Sequence, residues 1–178
     1  MKEFAAAVEV LVVEVDVRKE HEVEEMLGAV IGKFGRLDYA VNAAGVEGDF
    51  HRSAESTSQA FDQVNAVNYR GCWLCSKNEI AQMQTQQPLP THDGRPGNRG
   101  AIVNIASQLA LLSRADAGVC YYIHIYCDLL TDRLSIIAAY CASKAAVVSM
   151  TKSDAIDVCI SSPLKGSGLL LTLFSVLA

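Results

Sequence analysis

Tyr140 and Lys144 stand four residues apart in AAYCASKAA (138–146), a spacing that puts both on one face of a helix. Upstream, AIVNIAS (101–107) ends on Ser107. These three side-chain types suit the reduction of a carbonyl, because a hydride delivered to the carbon leaves an alkoxide that needs a proton. Tyr140 can donate one, although a free phenol gives it up only near pH 10. The Lys144 ammonium one turn on favours the phenolate and brings the donor toward its working range. Ser107 would hydrogen-bond the carbonyl oxygen and the charge developing on it. Each residue also has a plainer reading: an ordinary buried helix for Tyr140 and Lys144, a cap or turn serine for Ser107. Ser107 and Tyr140 are 33 positions apart, so only a fold can bring them together.

The surrounding segments alternate in character. VLVVEVDV (10–17) is short and valine-rich, which suits a buried parallel strand. In 18–35, Val23, Met26, Leu27, Val30, Ile31 and Phe34 recur at helical spacing behind an acidic first turn, favourable to the helix dipole. LDYAVNAAG (37–45) reads as a second strand ending in a small-residue turn. Residues 56–84 read as a long helix with Ser56, Thr57 or Ser58 as N-cap. A Pro/Gly loop (85–100) then leads into the strand at 101–107. Strands alternating with amphipathic helices predict βαβ units and a parallel α/β sheet. Ligands bind such sheets at the carboxyl ends of the strands, here Asn42–Gly45 and Ile105–Ser107.

Composition narrows the function classes. The 178 residues are 51% hydrophobic and 20% charged, with a net charge of −5, which fits one globular domain and argues against a nucleic-acid or anionic-membrane partner. The start lacks the basic and apolar regions of a signal peptide, and LLLTLFSVLA (169–178) is too short to span a bilayer. The six cysteines then read as reduced cytosolic thiols. Cys72 and Cys75 form one C-x-x-C pair; without a second pair or a strand-to-helix turn it reads as a core pattern rather than a redox or zinc motif. The histidines at 21, 51, 92 and 124 have no ligand spacing, so no metal site is expected.

DV (16–17), VNAAG (41–45), VNYRG (67–71), IVNIAS (102–107) and YCASKAAV (140–147) follow one another in the order found in classical short-chain dehydrogenases/reductases, which the chain resembles over 10–118 and 139–157. The resemblance implies a Rossmann-like doubly wound parallel sheet, incomplete here, lacking the first two strands and the C-terminal strands. It implies an NAD(P)-dependent oxidoreductase of a small carbonyl or secondary alcohol, with NADP or NAD as cofactor, cytoplasmic and homo-oligomeric. Ser107, Tyr140 and Lys144 would be catalytic, with Asn68 carrying a water-linked proton relay. Asp16 and Val17 would lie at the adenine, Asn42 and Gly45 along the cofactor, and Tyr140 and Lys144 at the nicotinamide ribose. Lys77 is a further cofactor candidate, although a solvated helix lysine is the favoured reading.

Three departures stand beside these matches. No T-G-x-x-x-G-x-G turn, whose N–H groups would hold the pyrophosphate, precedes Asp16. The 20 residues 119–138 read as an insertion, since excising them brings the Ser107–Tyr140 separation from 33 to 13, the spacing usual in the family. Residues 158–178 read as an apolar tail outside the family pattern, leaving 1–157 as a partial dinucleotide-binding domain. Both unfamiliar segments open on Val-Cys, and valine codons begin with the GT of an intron donor, so both are expected to be unspliced introns. The alternative reading is a pseudoenzyme or fragment that acts as a binding protein; a thiol redox protein built on Cys72 and Cys75 is a third.

Overall fold

In a computed structural model, residues 8–48, 54–90, 97–112, 138–161 and 170–174 are described. The first helix, α1 (Glu20–Phe34), carries Glu20 and Glu22 in its first turn and Lys33 in its last, each matching the helix dipole. Gly35 ends it in the left-handed conformation (φ 80°), its N–H donating to the Ile31 carbonyl at 2.8 Å. Only glycine takes that geometry without strain. Strand β1 (Tyr39–Asn42) follows.

The predicted long helix is a rod in three parts: α2 (Ser58–Asn65), a π-helical turn (Ala66–Gly71) and α3 (Cys72–Thr85). Of the three N-cap candidates, Thr57 takes the role, its Oγ1 accepting from the Ala60 N–H at 3.1 Å. At the far end the Gln86 amide donates to the Leu37 and Arg99 carbonyls and accepts from the Leu37 N–H, tying the rod to the starts of two strands. Strand β2 (Ala101–Ile105), the short α4 (Leu109–Leu112) and the 24-residue α5 (Ala138–Ser161) come next. Among the described residues the sheet is β1–β2–β3, all parallel, with Asn42 opposite Asn104. Strand β3 (Leu170–Phe174) pairs with β2 along its length. It arises from the apolar tail, to which the sequence reading assigned no element.

Two clusters hold the layers together. Val23 of α1 packs on Leu74 and Cys75 of α3, with Val15, Val17 and Met26 around them. Val147 and Met150 of α5 pack on Cys72 and Ala106, fixing α5 and α3 over the end of β2. Val23, Leu74 and Val147 are almost wholly withdrawn from solvent, each stabilising by roughly 1.5–3 kcal/mol.

One predicted strand is absent. Residues 10–15 belong to no ladder, and Val8, Val10 and Val12 are exposed. Valine alone does not make a strand; a neighbour must supply the ladder, and no described strand lies beside this segment. Lys33 donating to the Val10 carbonyl and the packing of half-buried Val15 and Val17 hold it instead. Among the described residues β1 is an edge of the sheet, and its Tyr39 and Val41 face solvent. The segment 119–138 lies almost wholly outside the described residues.

Candidate active site

Lys144 anchors the arrangement. Its Nζ donates to the Ile105 carbonyl at 2.8 Å, at the carboxyl end of β2, and the side chain is buried. Burial lowers its pKa by penalising the ammonium, while the nearby Cys72 works in the opposite sense. One turn back on α5, the Tyr140 ring centroid lies 5.8 Å from Nζ. The helix spacing therefore delivers the expected pair.

Asn68 lies in the π-helical turn and is almost fully buried. Its amide clasps Val46, accepting from the N–H at 2.7 Å and donating to the carbonyl at 2.9 Å. The same Nδ2 donates to Ser143 Oγ at 3.1 Å. Gly45 completes the group: a Cβ there would stand 3.4 Å from Asn68 Oδ1 and 3.6 Å from Lys144 Nζ. A side chain at 45 would start in van der Waals contact with both polar atoms.

Ser107 is buried two residues beyond Ile105. Its Oγ accepts from the Leu109 N–H at 3.2 Å and its carbonyl from the Ala110 N–H at 3.0 Å, so the hydroxyl caps α4, as its plainer reading anticipated. A lone pair and the hydroxyl proton remain for a ligand. Lys144, Tyr140, Asn68 and Gly45 thus converge at the ends of β1 and β2, with Ser107 on the same strand end.

The other candidates lie elsewhere or turn away. The Asp16 carboxylate is held by Arg18 through Nε at 2.8 Å and Nη2 at 2.7 Å; that guanidinium draws its pKa down to about 2. Val17 packs against the rod, where a Cβ on Gly71 would come within 2.7 Å of its methyl. Lys77 pairs with Glu20 of α1 and lies 5.5 Å from the Trp73 ring centroid, its solvated-helix reading. The Asn42 amide turns inward, donating to Glu79 Oε2 and Asn104 Oδ1, both at 2.9 Å.

Glu79 was not anticipated. It joins Asn42, Ser76, Asn104 and Thr151 in a buried network across β1, β2, α3 and α5. Burial pushes its carboxyl up to about 7, opposed by the Asn42 hydrogen bond. It borders a cavity of about 200 Å³ shared with Val17, Met26, Val41, Asn42 and Cys75. The sequence did hold a signal: Cys72, Cys75, Ser76 and Glu79 recur at i, i+3, i+4 and i+7, placing the carboxylate in the buried stripe. Cys72 and Cys75 are pushed up to about 12 and about 11, chiefly by burial, the reverse of a redox thiol.

Comparison with known proteins identifies the family. Residues 1–122 match the family model described as short chain dehydrogenase. The chain belongs to the short-chain dehydrogenase family. It is 32% identical over 149 residues to the short-chain dehydrogenase srdC of Neurospora crassa, covering 82% of this chain and 47% of that protein. It is equally identical over 155 residues to a 2-(R)-hydroxypropyl-CoM dehydrogenase of Xanthobacter autotrophicus, covering 86% and 50%. Levodione reductase superposes with a TM-score of 0.65 at 27% identity, over 86% of this chain and 47% of that one. The chain spans about half the length of the relatives it matches. No helix of the described residues is long and apolar enough to cross a membrane.

Proposed function

We propose that this chain carries the catalytic side of an NAD(P)-dependent oxidoreductase that interconverts a small carbonyl compound and a secondary alcohol. The observation that carries the reading is the convergence of Lys144 Nζ and Asn68 Oδ1 on the space over Gly45. Tyr140 is the proton donor, Lys144 its activating cation, Ser107 the hydrogen-bond donor to the substrate oxygen, and Asn68 the link to a water relay. In support, the 27% identical xylitol dehydrogenase of similar fold is NAD⁺-bound.

The residues present fit the nicotinamide end of a dinucleotide, where the absent side chain of Gly45 leaves room between two polar groups. Tyr140, Lys144 and the Asn42–Gly45 turn would hold that end, and the bound cofactor would supply the hydride. The adenine end is served less well, because Arg18 occupies both oxygens of Asp16. The wider reading takes 1–157 as a partial dinucleotide-binding domain interrupted by 119–138, with 158–178 appended, in a cytoplasmic homo-oligomer. That β3 joins the sheet supports the appended segment folding with the rest.

Titration of the full chain with NADH and NADPH, read by nicotinamide fluorescence and melting temperature, tests this. A saturable response that Lys144→Met weakens at least about tenfold is expected. No response to either cofactor at millimolar concentration would sink the reading.

A further inference from the structure

We infer that Ser143 is a positioning residue of this site, holding the Asn68 turn and the tyrosine helix in register. The inference takes its purpose, though not its geometry, from the oxidoreductase reading. Ser143 has no exposed surface. Its Oγ donates to the Tyr140 carbonyl at 2.7 Å and accepts from Asn68 Nδ2 at 3.1 Å. A serine bonding back to a carbonyl of the preceding turn is common in helices. The second bond is what sets Ser143 apart, because it reaches an element 75 residues away in sequence.

The Asn68 amide has two hydrogens. One goes to the Val46 carbonyl and the other to Ser143, while Oδ1 accepts from the Val46 N–H. One side chain therefore fastens the turn after β1, the π-helical segment and α5. Ser143 is the member on α5, between Tyr140 and Lys144 in sequence. Its two bonds fix the rotation of that helical turn and hence the directions of Tyr140 and Lys144. Without the hydroxyl, an Asn68 hydrogen would be left without its partner in a dry position, and this turn of α5 would lose its polar tie to the rod.

The test follows the Asn68 side-chain amide of the full ¹⁵N-labelled chain by NMR. Ser143→Ala is expected to speed its hydrogen exchange about five- to tenfold, the equivalent of one hydrogen bond, and to shift the Tyr140 ring resonances. Ser143→Thr, which keeps a hydroxyl, retains the wild-type exchange protection and ring resonances. Val147→Ala truncates a buried side chain one turn on, lowers the melting temperature, and leaves Asn68 exchange within about twofold. Unchanged exchange in Ser143→Ala, loss of protection in folded Ser143→Thr, or equal acceleration in Val147→Ala would each overturn the inference. Should Ser143→Ala not fold, Ser143→Cys removes most of the bond at nearly constant volume and takes its place. The two readings fail separately: absence of NADH and NADPH binding removes the oxidoreductase assignment, whereas the Asn68 measurement addresses the clamp alone.

Discussion

Glu79→Gln should change how stability depends on pH. The wild-type carboxyl moves from 4.5 to about 7 on folding because burial disfavours its charge. A shift of this size is equivalent to about 3 kcal/mol, at about 1.4 kcal/mol per pH unit. The folded-state pKa is raised, so the contribution is fully present below pH 4.5, where both states hold the proton. It declines as pH rises from 4.5 through about 7, because the unfolded chain ionises first. Above pH 7 both states are ionised and the penalty levels off. Glutamine keeps an oxygen to accept from Asn42 and does not titrate. Glu79 lines a cavity with room for water to accept from the added N–H₂, which limits its cost to about 1 kcal/mol. The variant should therefore be less stable than wild type at pH 4.5 and more stable by about 1–2 kcal/mol at pH 8. Urea unfolding followed by Trp73, the single tryptophan, measures this from pH 4.5 to 8.5, and the other titrating groups cancel in the difference. If wild type and variant ran parallel across this range, the account of Glu79 as a neutral buried acid would be refuted.

Gly71→Ala should destabilise by about 1–3 kcal/mol, since its methyl would meet the Val17 side chain and carbonyl at 2.7 and 3.3 Å; the urea midpoint reports it, and a neutral result would show that segment 14–17 yields freely. Thr57→Ala removes the cap on the Ala60 N–H and should cost about 1 kcal/mol, with Thr57→Asp retaining stability in the same assay. Site-resolved mass spectrometry after brief alkylation at pH 8 should find exposed Cys159 modified and Cys72 and Cys75 protected until denaturant is added. Rapid native labelling of either buried thiol would contradict their assigned burial.

The helices were legible because their signals are local. The apolar spacing of α1, the acidic residues of its first turn and the Thr57 cap act within one or two turns of chain. Tyr140 and Lys144 were legible for the same reason, since helix geometry alone puts them on one face. The strand at 10–17 failed because pairing is not local: valine content marks a segment that could join a ladder, while the ladder itself depends on another strand. Asn42 was expected along the cofactor from its match to the family turn; that its side-chain amide donates to Asn104 and Glu79 depends on neighbours the sequence does not show to be adjacent. Lys77 could be read as a ligand or a solvated lysine; its pairing with Glu20 of α1 depends on a helix 57 residues away in sequence.

By itself, then, the sequence determined the residue types available for proton transfer, the α/β alternation and the resemblance carried by five short motifs in order. Only the tertiary structure decided that Lys144 reaches the Ile105 carbonyl, that the Asn68 amide bonds Val46 and Ser143, and that the pKa of Glu79 is raised to about 7. These depend on segments far apart in sequence meeting in a space from which water is largely excluded. There the cost of an unpaired polar group dictates the partner each side chain takes.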